Sequence, residues 1–135
     1  IGVVAERTVW YSRGGIRGVA SEIGATKAAT RWFLGPASFD PAVDSVVVLN
    51  PTTTAARVSV TLERDGRGAF APGRLQHVKV KAGTRLKLSL ARWTTGPVVA
   101  VVSSDKPVVA ERFSYSRAAR DVCALMGSPL APTGR

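Results

Sequence analysis

Nine carboxylates, one histidine and one cysteine are the side chains on which acid–base, thiol or metal chemistry would fall in this 135-residue chain. So few His and Cys residues exclude a protein-only zinc site or a disulfide framework. A hydrolase would need two carboxylates that converge with shifted pKa values. Glu6 and Glu111 are the best placed, because each lies in a strand-like run and is followed by an arginine, Arg7 or Arg112. Neighbouring residues of a strand project to opposite faces. These four residues are therefore expected to do structural work, as cross-strand ion pairs or caps on nearby backbone. His77 sits beside Lys79 on a polar strand face and reads as a solvated imidazole. It would need a nucleophile and an orienting acid to act as a base. Cys123, with only Arg120 nearby to lower its pKa, reads as partly buried, or as a bridge to an outside partner. No glycine pattern that cradles phosphate precedes a helix. In Asn50-Pro51-Thr52 the middle proline forbids glycan attachment. No catalytic residue, metal or cofactor is expected, and the chain reads as a non-enzyme.

Binding is the richer possibility. Nineteen Lys and Arg residues against nine Asp and Glu give a net charge of +10, enough to concentrate anionic polymers near the surface. Val78 and Val80 alternate with His77, Lys79 and Lys81, and Leu86, Leu88 and Leu90 alternate with Arg85, Lys87 and Ser89. Read as a hairpin, the two runs gather Lys79, Lys81, Arg85 and Lys87 on one outward face. Cross-strand neighbours lie about 5 Å apart, so these like charges need solvent or an anion between them. The other reading is an edge pair whose lysines discourage sheet aggregation. Trp32 and Phe33 are adjacent and must point to opposite faces, so one of them could offer a platform to a sugar. Core filling is the ordinary role for Trp10, Trp32 and Trp93. Nucleic acid is disfavoured as a partner, because no aromatic residue is interleaved with the basic ones.

The elements that must position these residues are strands. Val58, Val60 and Leu62 alternate with Arg57, Ser59, Thr61 and Glu63. Val46 to Leu49 and Val98 to Val102 are unbroken apolar runs, as expected of central strands, and the longer is far below the roughly 20 residues of a membrane helix. Turns are expected at Asp65-Gly66 and around Pro72-Gly73, and Pro51 and Pro107 should stand at strand ends. Seven or eight strands follow, near residues 2–12, 30–34, 45–50, 56–64, 75–81, 85–91, 97–103 and 107–116. The fold class is all-β: an antiparallel, Ig-like two-sheet sandwich, with a closed barrel as the alternative. Residues 13–29, rich in glycine, read as a long loop. Residues 118–135 read as a tail, possible as a short helical turn, beyond a module spanning 1–117.

The sequence also echoes itself. Val3-Val4-Ala5-Glu6-Arg7 returns as Val108-Val109-Ala110-Glu111-Arg112, and Tyr11-Ser12-Arg13 returns as Tyr115-Ser116-Arg117 after a one-residue slip. A recurrence at one domain length suggests modules in an array that share a boundary strand, with residues 2–12 as the shared strand. Two similar strands of one sheet would give the same echo. The absence of an initiator Met suggests either a removed signal or, as the echo favours, a piece of a longer protein.

Several short motifs occur in one order: Gly24-Ala25, Trp32-Phe33, Leu49-Asn50-Pro51, Val58 to Thr61, Ala82 to Arg85, and Pro107 followed by the Val-Ala-Glu-Arg strand and Phe113. In this order the chain resembles a family of secreted, repeat-forming β-sandwich modules of unknown function from actinobacterial cell-envelope proteins. It departs from that pattern after Arg7, where no aromatic residue follows directly, and in the tail. The resemblance implies an exported, envelope-associated structural module. An envelope polysaccharide, another envelope protein or an anionic polymer would be its partner.

Overall fold

The computed structural model describes residues 4–36, 41–64, 66–94, 96–116 and 121–131. The strands are β1 (Glu6–Arg13), β2 (Ile16–Ile23), β3 (Ala29–Leu34), β4 (Pro41–Leu49), β5 (Ala56–Arg64), β6 (Gly68–Phe70), β7 (Val78–Val80), β8 (Arg85–Ser89), β9 (Val98–Ser116), β10 (Asp121–Met126) and β11 (Ser128–Pro129). A single 3-10 turn, Gly73–Leu75, lies between β6 and β7. The all-β expectation holds, and every strand pairing is antiparallel.

Two layers form the sandwich, and they do not close into a barrel. In the first layer the order is β11–β3–β9–β5, with β6 and β7 both on the far side of β5. In the second it is β10–β9–β4–β8. The strand common to both is β9. Residues 98–104 pair with β5 and residues 109–116 pair with β4. Its even-numbered residues Val98, Ala100, Val102, Val108, Ala110 and Arg112 are buried on both sides of the join. One face of a single long strand thus lines the core of both layers. Pro107 was expected at a strand end; it lies within β9, exposed, between the two paired halves. A proline costs little where no ladder bond is needed and the chain must bend.

Alternation explains the core. In β5 the residues Ala56, Val58, Val60 and Leu62 are wholly buried, in one core cluster with Trp32 and Leu34 of β3 from the same layer and with Val46 and Val48 of β4 and Leu88 of β8 from the other. Burying an aliphatic side chain of this size is worth about 1.5–3 kcal/mol. Asn50 locks the corner where β4 ends: its Nδ2 donates to Thr54 O at 2.8 Å and Val80 O at 3.1 Å, and its Oδ1 accepts from Thr52.

Three expectations need correction. Residues 13–29 are not one long loop, because β2 (Ile16–Ile23, 8 residues) lies among them and pairs along its whole length with β1. Gly14 and Gly15, both with positive φ, form the two-residue connection, the conformation that a tight primed turn demands and that glycine supplies at little cost. The described part of 118–135 is extended, not helical, and β10 and β11 add a strand to each layer. Val78–Val80 and Arg85–Ser89 are not a hairpin. β7 pairs with β5 and β8 with β4, so the Lys81–Thr84 connection is a corner between layers. The expected turn residue Asp65, the first echo residue Val3, and Arg117 and Arg120 lie outside the described residues.

Candidate functional site

Hairpin β1–β2 forms its own two-stranded sheet and lies across the outer face of the second layer. One of its faces is half-buried there: Arg7, Val9 and Tyr11 from β1, with Gly18, Ala20 and Glu22 opposite them on β2. Gly18 permits the approach, since a Cβ at that position would come within 2.9 Å of Val122 Cγ2 on β10. Tyr11 stacks on Tyr115 with ring centroids 3.9 Å apart, and Phe113 meets Tyr115 edge-on at 4.7 Å. Burial, and then the neighbouring Tyr11 phenol, raises the Tyr115 pKa above the usual phenol value. The Arg7 guanidinium bonds to the Glu111 carboxylate across the two sheets.

Between hairpin and layer lies a cleft of about 380 Å3 lined by Arg7, Val9, Val47, Arg85, Lys87, Glu111 and Phe113. Lys87, Val47 and Glu111 form one row across β8, β4 and β9, which places the lysine about 10 Å from the glutamate backbone. Arg7 is committed to Glu111. Arg85 and Lys87 are exposed and make no ion pair among the described residues. The cleft therefore offers two cationic ends beside an apolar floor of Val47 and Phe113, an arrangement suited to a ligand with anionic groups and a less polar body.

The expected basic patch is divided by the fold. Arg85 and Lys87 reach the cleft, whereas Lys79 stands opposite Arg57 on the first layer and Lys81 is exposed at the corner. Trp32 is 1% exposed and donates its indole N–H to Ala29 O and Val108 O. It fills the core and cannot present a face to a sugar; its neighbour Phe33 is 40% exposed. Trp93 packs against the core, but Trp10, expected inside, is 77% exposed. His77 is exposed with φ 54°, its backbone N–H held by Ser59 Oγ. Cys123 is half-buried in β10 opposite Ser114.

Glu111 and Arg112 do leave the strand on opposite faces. Glu111 faces the cleft, and Arg112 enters the core, where Nε and Nη2 bond to both Asp44 oxygens at 3.0 and 2.6 Å. Its Nη1 reaches Gly35 O and Val98 O. Asp44 was missed in the sequence. The sign was a carboxylate leading straight into the apolar run Val46–Leu49, a position tolerated only with a partner. Glu6, by contrast, is exposed, its nearest polar contact being the Thr8 hydroxyl at 3.5 Å.

A family model described as "Family of unknown function (DUF5719)" matches residues 1–111. No curated protein matches the chain in sequence. Among solved structures, Thermotoga maritima 1070 has a similar fold, with a TM-score of 0.64, 15% identity, and coverage of 76% of this chain and 96% of that one. The Anabaena sensory rhodopsin transducer is also similar, with a TM-score of 0.51, 17% identity, and coverage of 63% and 95%. At these identities the likeness is one of fold.

Proposed function

We propose, from the premise that the chain belongs to the DUF5719 family of unknown function, that it is a non-catalytic structural and interaction module of an exported actinobacterial cell-envelope protein. One observation carries this reading. The echoed segments each pair antiparallel with the strand that follows and share one backbone bond, Gly24 N–H donating to Ala5 O at 2.8 Å and Gly127 N–H donating to Ala110 O at 3.0 Å. Glu6 stands opposite Ile23, and Glu111 opposite Met126, each partner preceding its glycine. Two strand pairs alike in segment and backbone bond, one stacked across the other, are suited to joining like units. Glu111 and Asp44 are both bound to arginines, which leaves them to structural work. The test is fractionation of cells producing the full-length protein, with protease applied to intact cells. Recovery in the envelope fraction and cleavage from outside are expected; a protected, wholly cytoplasmic protein would sink the reading.

The cleft favours a second reading, capture of an anionic envelope polysaccharide or other anionic polymer by Arg85 and Lys87. Arg85→Glu plus Lys87→Glu should then lose retention on a sulfated polymer at lower salt than Lys79→Glu plus Lys81→Glu. Equal loss would reduce the effect to net charge.

A further inference from the structure

The second face of hairpin β1–β2 is fully open. Cross-strand partners share a face, so it consists of the rows Glu6/Ile23, Thr8/Ser21, Trp10/Val19 and Ser12/Arg17. Trp10 is 77% exposed, Ile23 64% and Val19 55%, and Val4 just outside the strand is 83% exposed. Of the six large exposed apolar side chains among the described residues, three lie on this one hairpin and Val4 adjoins it. Exposed clusters of this kind mark interaction surfaces.

The occupant can be argued from the other hairpin. Glu111/Met126 and Tyr115/Val122 are the matching rows of β9–β10, and that face is the one on which a hairpin already lies. The open face therefore corresponds to a face that takes a β-hairpin, one presenting there its Arg7, Val9 and Tyr11 side. Its charges cancel, with Glu6 at one end and Arg17 at the other, on a chain of net charge +10. A balanced patch adds nothing to the repulsion between two chains of that net charge, and the ends of opposite sign complement each other when one copy is reversed against the other. The Thr8 and Ser21 hydroxyls bond to each other across the hairpin at 2.7 Å.

We infer that this face binds the same face of a second copy of the chain, the two hairpins lying antiparallel. The Glu6 end of each then meets the Arg17 end of the other, and Trp10 enters the groove of about 490 Å3 that Ser12, Arg17 and Val19 line beside it. An arginine over an indole adds a favourable contact. This deepens the module reading and rests on it.

Sedimentation velocity of the full chain across concentration tests it. A monomer–dimer equilibrium is expected, and Trp10→Glu should weaken it at least about tenfold, as loss of a central aromatic anchor does, with unchanged thermal unfolding because Trp10 is exposed. Glu6→Arg and Arg17→Glu should each weaken the dimer, and the two together should restore it. A chain that stays monomeric up to about 1 mM overturns the inference. So does a dimer indifferent to Trp10→Glu and to both charge reversals, or a monomer whose Trp10 fluorescence responds to polysaccharide. None of these variants touches the face that covers the second layer. Failure of the dimer therefore leaves the module reading standing, whereas a cytoplasmic full-length protein defeats that reading alone.

Discussion

Hairpins β1–β2 and β9–β10 carry the same Val-Ala-Glu-Arg segment and the same glycine-to-alanine backbone bond, yet their arginines have different fates. The side chain of Arg112 is 1% exposed and grips Asp44; that of Arg7 is 41% exposed and reaches Glu111. Identical local sequence sets identical local geometry, and the neighbouring strands set the energetics. The 109–116 half of β9 has β4 and β10 beside it, and Arg112 reaches Val98 in the strand's own first half, so this arginine is desolvated and must be fully bonded. β1 has only β2, and its arginine remains half in water, where an ion pair is worth little.

Breaking the buried pair should sharpen the contrast most. Asp44→Ala leaves the Arg112 charge buried without its carboxylate and should cost about 3–5 kcal/mol in urea unfolding. Asp44→Leu with Arg112→Leu should recover most of the loss, and a double variant no more stable than the single would refute the pairing account. Next come the two equivalent glycines. A Cβ at Gly127 meets Leu34 Cδ2 at 2.9 Å, with Ala110 O and Trp32 Cε3 at 3.0 Å, whereas at Gly24 the nearest atom is Ala5 O at 3.3 Å. Gly127→Ala should therefore cost about 1–3 kcal/mol through overpacking and Gly24→Ala clearly less; equal melting temperatures would contradict this.

The exposed pair comes third. Arg7→Ala should lower global stability by no more than about 1 kcal/mol, an effect that salt shrinks. It should nonetheless speed amide exchange in residues 6–23 alone, since a hairpin held by few contacts opens locally. Exchange unchanged there, or accelerated throughout, would show that the ion pair does not hold the hairpin down. The smallest effect is that of pH. A phenol whose folded pKa lies above its unfolded value of about 10 contributes stability that is intact below that pH and is lost as pH rises further. Tyr115→Phe should flatten stability above about pH 10 relative to the wild-type chain, whereas Tyr11→Phe should do so less.

Strand identity was legible wherever one face was wet and the other dry. β5 shows it most clearly, because Val58, Val60 and Leu62 alternate with polar partners. β2 was hidden by its glycines, which serve two separate needs, a primed turn at Gly14-Gly15 and a close approach at Gly18; from composition alone both look like a loop. The unbroken length of β9 was hidden by Pro107, since a proline ends most strands and is tolerated only at a bend without ladder bonds. The opposed faces of Glu111 and Arg112 could be read from the period of two. Their partners could not, as Arg7 and Asp44 lie far off in the chain.

Taken alone, the order of residues determined the class of fold, the core stripe of each alternating strand and the recurrence of one Val-Ala-Glu-Arg strand segment. These depend on local periodicity, which neighbours along the chain fix. Tertiary structure decided which strand lies beside which. It sent Lys79 and Lys87 to different layers, buried Trp32 while leaving Trp10 in water, and gave two copies of one motif a core arginine and a surface one. Those outcomes depend on desolvation and on contacts between distant segments, and no spacing within a segment encodes them.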